Sequence, residues 1–396
     1  MRNESVAILD VRSYEVTFFL GSKGVNDTFV LYGSHTEKYA GFSSDGFFDE
    51  ESFRRAVVSA ITIVRQNHEG VIGEIFVGVP SAFIDTVTKG HTLSYPKKRK
   101  ITAQDIDALY QSGLNELLAT RRCIRRSAMY FSLGDNNCKY INAEDIYGVP
   151  TALLKGALCY YFVDEAFYTL TSSVLKDLEF QTVKYLPSTL AEALYLFSEK
   201  RREGYAFLRD IGVVTSSISV VYGNGIVHEE TFDFGKGMIL SSLMQNLGVD
   251  YALAEEILLT SNISGGAVPK GMLWTNEQGD ASFLMQTVVD TIKYDLDILC
   301  EKVDNFFAKY YQEKGATVFA VHPIGVTGEG IIGVAGATEH ISNRLNRLTE
   351  IICPDLPYYD KPSFSSRMAL LDMALGDKVK RGWFYKIFNN FGGKNK

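Results

Sequence analysis

Residues 205–221 read YAFLRDIGVVTSSISVV and predict a β-hairpin with an acidic residue at its turn. Apolar residues lead into Asp210, and a second β-type run, Ser217–Val221, leads out of the turn. The chain opens on a similar stretch, in which Val6–Val16 reads VAILDVRSYEV and carries Asp10 in the corresponding place. Each stretch is strand, Asp, short turn and strand. Two such hairpins suggest a duplicated fold with a cleft between its halves.

Composition and length set broad limits on the function. With 396 residues the chain is too long for one ordinary core, so we expect two domains, each subdivided. Its net charge of −7 argues against generic nucleic-acid binding, which needs a basic face. Five cysteines without a CxxC motif indicate a reducing cytosol rather than a disulfide frame or a zinc site. No uncharged apolar run is long enough to predict a membrane-spanning helix.

Strands and helices alternate along the chain in the pattern of an α/β protein. The first domain is interrupted by a small inserted domain, which carries the basic cluster Lys97–Lys100 and a helix whose start, Thr102 followed by Asp105, is similar to a capping box. We therefore divide the chain into these segments: lobe 1 core, 1–84 and 151–189; inserted subdomain, 85–150; lobe 2 core, 190–233 and 311–376; lobe 2 small subdomain, 234–310; tail, 377–396.

Several local predictions fix how the segments connect. Val25–Tyr32 reads as a strand, followed by a glycine- and serine-rich loop over His35–Phe48. Ala152–Phe162 is predicted to be the strand that returns to the first domain. Thr317–Val321 is predicted to be a strand that runs into a glycine turn, and Ser365–Leu375 the last core helix.

The turns of the two hairpins suit phosphate binding. Small turn residues let backbone N–H groups approach phosphate oxygens, and an Asp can hold a magnesium ion through water. A third glycine turn, Thr327–Gly330, opens a helix and would lie flat against a purine and its ribose. Each signal alone is weak, whereas their order along the chain is more specific.

In this order the sequence resembles the actin/Hsp70/sugar-kinase ATPase superfamily and, within it, the family of the bacterial cell-division protein FtsA. AILDVRSYEVTFFLG resembles the first phosphate motif, DIGVVTSSISVVYGNGIVHEETFDFGKGMI the second, and VTGEGIIGVAG the adenosine motif. The insertion with KRKITAQDI lies where FtsA keeps an extra subdomain, and KPSFSSRMALLDMAL resembles the last core helix. The resemblance covers nearly the whole chain. It implies an α/β actin-like ATPase fold of two duplicated lobes, with an FtsA-type inserted subdomain and a C-terminal amphipathic helix.

The resemblance also implies a site for ATP and magnesium between the lobes. It assigns no catalytic residue and no residue that ligates a metal directly. The positions that match the nucleotide-binding motifs are Asp10, Arg12, Ser13, Asp210, Gly212, Thr215, Glu255, Gly328 and Gly330.

The phosphate-binding turns depart from the family pattern in ways that oppose phosphate binding. The two glycines that normally follow Gly212 are Val213 and Val214, whose branched side chains resist the conformations that glycine allows. The lysine of the first turn is Glu15, which would repel phosphate. The closing Asp of the second motif is Ser217. Together with Leu258, which stands for a lysine that usually faces the nucleotide, these changes predict weak or lost ATP binding.

Arg12 replaces a glycine of the first turn, and two roles are open for it. Its side chain either binds phosphate directly or fills the vacant site and pairs with Asp10 or Asp210. A purely structural interpretation is that both Asp residues cap turns and meet Arg12 or Arg209.

The last stretch, Lys378–Lys396, has the pattern of an interfacial membrane helix. Aromatic and aliphatic residues recur on one face, and six basic residues surround them in an otherwise acidic protein. A short spacer, Gly376–Gly382, would hold the body close to the bilayer. The alternative is a helix that docks on the protein's own body. The residues predicted to contact an anionic membrane are Trp383, Phe384, Lys386, Ile387, Phe388 and Phe391.

Two basic clusters in the insertion, Lys97–Lys100 and Arg121–Arg126, are interpreted as solvated surface or as contacts for an acidic partner or a neighbouring subunit. The resemblance implies self-association through this insertion.

Taken together, these features indicate an FtsA-like scaffold on the cytoplasmic side of the cell membrane, peripheral on its inner face. Its partner would be a tubulin-like division polymer of the FtsZ type, docking within residues 234–307, and it would not bind nucleic acid. One rival is an ATPase or small-molecule kinase of the same superfamily, with Asp210 as the base. Another is an FtsA-related pilus-assembly adaptor, a type that usually lacks the amphipathic tail.

Overall fold

The computed structural model describes residues 5–26, 28–68, 70–115, 117, 121–134, 138–314, 322–330 and 333–391, except for the side chains of 312–314 and 380–391. Lobe 1 begins with β1 (Val6–Val11), β2 (Glu15–Lys23), β3 (Phe29–Lys38), β4 (Phe42–Ser43), β5 (Gly46–Phe47), α1 (Glu50–Gln66) and β6 (Glu74–Val79). The inserted subdomain comprises β7 (Ile84–Lys100), α2 (Ala103–Asn115), β8 (Arg122–Leu133) and β9 (Pro150–Val163). Lobe 1 resumes with α3 (Glu165–Asp177), β10 (Thr182–Pro187), α4 (Ser188–Leu196) and α5 (Glu199–Arg202). The predicted start of lobe 2 at residue 190 therefore moves past α5, because α4 packs with the last helix of the chain on the lobe 1 sheet.

Lobe 2 follows, and a long helix then returns to lobe 1. The strands of lobe 2 are β11 (Tyr205–Ile211), β12 (Ser216–Tyr222), β13 (Gly225–Phe232), β14 (Leu273–Thr275), β15 (Ser282–Leu284), β16 (Ile324–Thr327) and β17 (Thr349–Ile351). The helices of lobe 2 are α6 (Lys236–Leu247), α7 (Tyr251–Thr260), α8 (Met285–Lys314) and α9 (Ala337–Leu345). The long helix is α10 (Ser365–Phe391), which the sequence analysis placed in the lobe 2 core and which packs on the lobe 1 sheet instead.

The two lobes have the same sheet topology, as the paired hairpins predict. In lobe 1 the strand order is β10-β6-β1-β2-β3, and in lobe 2 it is β13-β12-β11-β16-β17. Each sheet has an antiparallel meander of three strands followed by strands parallel to the first. The acidic residues occupy equivalent places, since Asp10 pairs with Thr17 and Asp210 with Ser217. The predicted α/β fold of two duplicated lobes is therefore confirmed.

The inserted subdomain is larger than the sequence analysis predicts. Its sheet has the order β7-β9-β8, and β9 pairs with both neighbours along nearly its whole length, from Leu133 opposite Leu154 to Ile84 opposite Val163. The segment Ala152–Phe162 is thus the central strand of the insertion and not a strand of the lobe 1 sheet. The predicted boundary at residue 150 therefore moves to the end of β9. The apolar pattern of a long strand indicates where the strand lies but not which strands it pairs with, so the sequence did not reveal its sheet.

Other boundaries differ for local reasons. β3 starts at Phe29 and extends into the predicted loop as far as Lys38, because its pairing with β2 continues beyond His35, and the short strands β4 and β5 also lie in that loop. A hydrogen bond between the hydroxyls of Thr17 and Thr36 (2.8 Å) supports this part of the ladder. The predicted strand Thr317–Val321 lies outside the described residues, and the strand that feeds the glycine turn is β16.

Helices cover both faces of the lobe 1 sheet. Helix α1 is capped by Asp49, which accepts hydrogen bonds from the backbone N–H groups of Glu51 and Ser52. Its apolar face is buried, together with α3, against one side of β1 through residues such as Leu9. Helices α4 and α10 cover the other side, where Ile8 contributes to a core shared with lobe 2.

Helix α10 crosses the lobe 1 sheet from one end of its strands to the other. Its first turn lies near the carboxyl end of β1, where the Ser366 hydroxyl donates to Asp10 (2.7 Å). Near the amino ends of the strands, Lys378 Nζ donates to the Ser5 carbonyl (2.9 Å). Glycine permits the close approach at Gly78, because a Cβ atom there would lie 2.5 Å from a methyl group of Leu370. The predicted spacer 376–382 is helical, so α10 runs without a break to Phe391.

Candidate functional site

Arg12 occupies the centre of the cleft between the lobes. It follows β1, and its backbone N–H donates to the Glu15 carbonyl (2.9 Å) to close the turn into β2. The buried side chain crosses to lobe 2, where Nη2 donates to Asp210 Oδ1 (2.7 Å) and Nε to Glu329 Oε2 (3.2 Å). Its Nη1 lies 3.5 Å from Oε1 of Glu192 on α4. The sequence analysis left two roles open for Arg12, phosphate binding or pairing with Asp10 or Asp210, and the structure shows the pair with Asp210.

Asp10 is held by the first turn of α10. Its carboxylate is buried and accepts a hydrogen bond from Ser366 Oγ (2.7 Å), while Arg367 Nε lies 3.9 Å from its Oδ2. Arg367 also donates to Glu15 Oε1 (2.7 Å). The side chains of Asp10 and Glu15, both from the first hairpin, are therefore bound to a helix that begins more than 300 residues later in the chain.

Arg209, which the structural interpretation offered as a partner for the turn carboxylates, lies in the lobe 2 core instead. Adjacent residues of a strand point to opposite faces of the sheet, so Arg209 and Asp210 diverge. The Arg209 guanidinium lies 5.9 Å from the centre of the Phe232 ring. Burial lowers its pKa to about 10, although nearby Cys300 counters that effect in part.

Ser13 joins the two hairpins. Its hydroxyl accepts hydrogen bonds from the backbone N–H groups of Val214 (3.1 Å) and Thr215 (3.3 Å), which is the position a phosphate oxygen would take in a phosphate-binding turn. The turn is closed by a hydrogen bond from Gly212 N to the Thr215 carbonyl (3.0 Å). Two N–H donors of the second turn are thus already satisfied by a side chain of lobe 1.

The glycine turn after β16 packs directly against the second hairpin. Gly328 has φ +100°, and a Cβ atom there would lie 2.3 Å from Asp210 Oδ1. Gly330 donates to the Ile211 carbonyl (2.8 Å), and a Cβ atom there would lie 2.5 Å from the Ile211 side chain. The sequence analysis assigned these two glycines to a purine pocket, whereas here they allow the glycine turn to pack against the second hairpin. Glu329 lies between them and accepts the hydrogen bond from Arg12.

The remaining predicted position, Glu255, lies on α7 and pairs with a lysine. Lys236 Nζ at the start of α6 donates to Glu255 Oε1 (2.7 Å). Leu258, one turn further on, is fully buried in the lobe 2 core and does not face the cleft.

Sequence reasoning missed three charged residues of the cluster: Glu192, Glu329 and Arg367. Glu192 lies in a helix whose apolar pattern gives no sign of a buried carboxylate, and Arg367 lies in the segment assigned to the last core helix. Only Glu329 could have been found from the sequence, because it lies between Gly328 and Gly330 in the stretch that resembles the adenosine motif.

The cluster holds more acids than bases, and burial shifts their pKa values. Burial and the neighbouring Asp210 raise the pKa of Glu329 to about 7 despite Arg12. Burial, together with Asp210, also raises the pKa of Glu192 well above its ordinary value, although Arg12 opposes that shift. Burial alone would lower the pKa of Arg12, but Asp210, Glu329 and Glu192 outweigh it and raise that pKa well above its ordinary range. Arg12 is therefore a permanent cation, and Glu192 and Glu329 beside it keep their protons to a higher pH than free carboxyl groups do.

Little space is left in this part of the cleft. A cavity of about 30 Å³ remains beside Arg12, lined mainly by Ser13, Ser81, Ser188, Thr189, Glu192 and Ser217. Such a volume accommodates one or two water molecules.

Two further surfaces are prominent. A groove of about 1100 Å³ lies between α2 and β8 of the insertion and α4 of lobe 1. In the lobe 2 small subdomain, β14 and β15 form a two-stranded ribbon in which Leu273 and Leu284 are cross-strand partners, both 54% exposed. Trp274 lies on the opposite, buried face of the ribbon and donates from Nε1 to Thr260 Oγ1 (3.0 Å).

The predicted membrane-contacting residues, Trp383 to Phe391, lie in the last turns of α10, where the structure describes the backbone helix alone. Within the described residues, no helix is both long and apolar enough to span a bilayer, and no group of three or more acidic, histidine or cysteine side chains is arranged to bind a metal.

Comparisons of the whole fold identify its class. The chain is similar to the structure of the PilM-PilN type IV pilus biogenesis complex, with a TM-score of 0.61 at 9% identity, covering 93% of this chain and 98% of that one. It is similar to ethanolamine utilization protein EutJ from Carboxydothermus hydrogenoformans, with a TM-score of 0.52 at 10% identity, covering 94% and 90%. MreB5 of Spiroplasma citri bound to AMPPNP gives a TM-score of 0.52 at 9% identity, covering 96% and 100%.

These similarities span both lobes, so the chain has the actin-like ATPase fold. No family model matches the sequence, and no curated protein matches it. Membership of the FtsA family within this fold stays a prediction.

We expect the stability of the protein to fall as the pH rises through about 7. The folded-state pKa of Glu329 is raised from 4.5 to about 7, so its contribution is fully present below the unfolded value and is lost above the folded value. Glu329→Gln keeps the neutral form at every pH and should flatten the dependence of the thermal unfolding midpoint on pH. Part of the slope should remain, because burial also raises the pKa of Glu229 to about 7.

Glu339→Gln, at an exposed position of α9, is the matched control and should leave the slope unchanged. A Glu329→Gln variant with the full pH dependence of the wild type would show that Glu329 titrates normally in the folded protein.

Proposed function

We propose that this protein is an FtsA-like adaptor that attaches a tubulin-like division polymer to the inner face of the cytoplasmic membrane, and that ion pairs rather than a nucleotide hold its lobes together. The observation that carries the proposal is the position of Arg12, whose guanidinium lies where the two hairpins and the glycine turn meet. The arginine bridges the lobes through Asp210 and Glu329, which is the bridging role that a phosphate group with its metal has in a nucleotide-loaded cleft.

The charge of the cleft opposes a triphosphate. The single positive charge of Arg12 is already matched by Asp210, and further carboxyl groups surround it at Asp10, Glu192 and Glu329. Two unit charges about 4 Å apart interact by roughly 4 kcal/mol near a protein surface. Each ionised carboxyl near an incoming phosphate therefore costs free energy on that scale, and Val213 and Val214 supply no compensating cationic or hydroxyl contacts.

The volume of the cleft leads to the same conclusion. Ligand pockets typically measure about 300–1000 Å³, whereas the cavity beside Arg12 measures about 30 Å³. Entry of ATP would require the lobes to separate and Arg12 to leave both Asp210 and Glu329. Removing one partner of a buried ion pair costs about 3–5 kcal/mol. Binding would have to supply that amount before it gained any net affinity.

The C-terminal sequence pattern supports membrane attachment. α10 continues past the body for about 13 residues after Lys378, or about 20 Å of helix. This last part carries the aromatic and basic pattern of an interfacial helix. Burial of an apolar side chain is worth roughly 1.5–3 kcal/mol. Several such residues with flanking lysines give reversible attachment of one copy and firmer attachment of a polymer-bound array.

A docking face for the polymer is proposed on the ribbon of β14 and β15. Its outer face exposes Leu273 and Leu284 side by side, with Met272 also 48% exposed next to them. Exposed apolar groups that lie together indicate an interaction site rather than chance exposure. The ribbon lies within residues 234–307, the range in which the resemblance places the partner's C-terminal peptide.

The nucleotide part of the proposal is tested by thermal shift and equilibrium titration. We expect no rise in the unfolding midpoint with millimolar ATP and magnesium, and no saturable binding of a fluorescent ATP analogue. A ligand at about 100 times its Kd would stabilise the protein by about 2.7 kcal/mol, which such a shift reports readily. Saturable micromolar binding with phosphate release would instead support the ATPase.

The scaffold itself is tested by recruitment of the cognate FtsZ-type polymer to anionic vesicles in a flotation assay. We expect the polymer to float only when the protein is present. Trp383→Glu with Phe388→Glu should abolish flotation of both proteins, whereas Leu273→Asp with Leu284→Asp should leave the protein on vesicles without polymer.

Two matched controls accompany this assay. Asn389→Glu with Asn390→Glu adds the same charge to the tail outside its apolar positions, and Tyr294→Asp adds a charge at another exposed aromatic of lobe 2. Both should retain recruitment. A polymer that the wild type cannot bring to vesicles would contradict the proposed function.

The groove beside the insertion favours a second candidate, a pilus-assembly type of adaptor. Its floor is apolar, with Ile106, Phe131 and Leu190, and its rim carries Arg125 and Arg126. A groove of this size accommodates a peptide segment, and one similar structure is a PilM-PilN type IV pilus biogenesis complex.

Deletion of the gene separates the two candidates. We expect cells that fail to divide and form filaments, because the ring polymer loses a membrane attachment. Normal division together with loss of surface pili would favour the pilus adaptor instead.

A further inference from the structure

The edge strand of the lobe 2 sheet, β13, forms a seam with lobe 1 and with the insertion. Hydrogen bonds connect this seam, residues 222–233, to the insertion at one end and to lobe 1 at the other. β13 has 8 residues, so its two ends are roughly 25 Å apart. The contacts at these two ends differ in kind.

At the insertion end the seam is held by backbone N–H groups. Asn224 N donates to the Ala128 carbonyl of β8 (3.1 Å), and Ile226 N donates to the Tyr161 hydroxyl of β9 (3.0 Å). Ile226 and Tyr161 are fully buried. Amide protons in such surroundings exchange with solvent only when the structure around them opens.

Arg202 fastens the same turn to the segment in which the chain crosses from lobe 1 to lobe 2. Its Nε donates to the Gly223 carbonyl (3.0 Å) and its Nη2 to Asn224 Oδ1 (3.0 Å). Its Nη1 donates to the Phe197 carbonyl at the end of α4 (2.9 Å). The insertion and the crossing segment therefore meet at one turn of lobe 2, and a rotation of the lobes about this region displaces that turn least.

At the cleft end the seam is held by side chains near the surface. The hydroxyls of Thr231 and Ser81 are hydrogen-bonded (2.9 Å). Beyond them the tip of the β4–β5 hairpin reaches lobe 2, where Ser44 N donates to Asp233 Oδ1 and Ser44 Oγ to Asp233 Oδ2, both at 2.6 Å. Ser44 and Asp233 are both exposed, and we call this pair the latch.

The ion pairs of Arg12 lie between the latch and the insertion end. Asp210 is opposite Ser217 on β12, and Ser217 is opposite Thr231 on β13. The Arg12–Asp210 pair is therefore level with the cleft half of the seam. An opening that starts at the latch reaches this pair next and the insertion end last.

We propose that the two lobes open at the latch and pivot on the insertion, whose hydrogen bonds with the turn before β13 stay intact. Contacts near a hinge move least, which suits the buried groups of the insertion end, and contacts far from it separate first, which suits the exposed latch. The insertion thus limits the opening to the cleft end, where Arg12 and its carboxyl partners become accessible to solvent. This device does not depend on the partner that the protein recruits.

Amide hydrogen exchange of the full-length protein, read at single residues, tests the pivot. Asp233→Ala removes both acceptors of the latch, so the cleft end should open more often. We expect the amides of Val214 and Thr215, which donate to Ser13 across the cleft, to exchange about fivefold faster or more.

The insertion end serves as the internal reference, because the amides of Asn224 and Ile226 should exchange at the wild-type rate in the same sample. Asp45→Ala removes an exposed carboxylate from the same hairpin tip outside the latch and is the matched control. Ser44→Ala removes one of the two latch hydrogen bonds and should accelerate exchange less than Asp233→Ala does. It carries the same test if Asp233→Ala does not fold.

Two outcomes would overturn the inference. Wild-type exchange at Val214 and Thr215 in the latch variants would show that the latch does not hold the lobes closed. Equal acceleration at Val214 and Ile226 would show that lobe 2 separates from the insertion as readily as from lobe 1, so that the insertion is not the pivot. Neither result bears on membrane attachment or polymer recruitment, which the flotation assay tests separately.

Discussion

The balance of charge between the two lobes governs the rest of this structure. Two guanidinium groups, of Arg12 and Arg367, lie among five carboxyl groups drawn from both lobes: Asp10, Glu15, Glu192, Asp210 and Glu329. Arg12 connects the lobes, and Arg367 connects the first hairpin to the last helix. Buried carboxylates are tolerated only where they are paired or protonated, so the closed arrangement of the lobes and the ionisation of these groups depend on each other.

In this arrangement the small residues of the turns contact other protein groups. A glycine in a nucleotide-binding turn leaves room for a ligand, whereas Gly328 and Gly330 leave room for Asp210 and the Ile211 backbone. Ser13 likewise satisfies the N–H groups of Val214 and Thr215. Within the described residues, protein groups of both lobes occupy most of the space around Arg12. The similarity to solved structures, one of them bound to AMPPNP, extends over both lobes while identity stays at or below 10%.

Much of the fold was predictable because its signals are local. The two Asp-centred hairpins and the capped start of α2 at Thr102 and Asp105 follow from residue patterns within a few turns of chain. The partner of a long strand is not local, which is why β9 was assigned to the wrong sheet. The site was predictable to the level of its hairpins, since Arg12 and Asp210 were singled out. Glu329 lies inside a motif that the sequence analysis quoted, whereas Glu192 and Arg367 come from helices whose sequence shows only an amphipathic pattern. Nothing in that pattern indicates which polar residue turns inward.

Helix α10 has a mechanical consequence. Its first turn binds Asp10 and Glu15 through Ser366 and Arg367. The helix then lies along the strands of lobe 1 as far as their opposite end, where Lys378 contacts Ser5. Tension applied at its far end acts parallel to the helix–sheet contact, so it shears many side-chain contacts at once and does not peel them apart singly. A joint stressed in shear resists greater force than one that unzips. Because the first turn of α10 binds Asp10 and Glu15, a force on the helix is also transmitted to the hairpin that carries Arg12 and to the contacts of Arg12 with lobe 2.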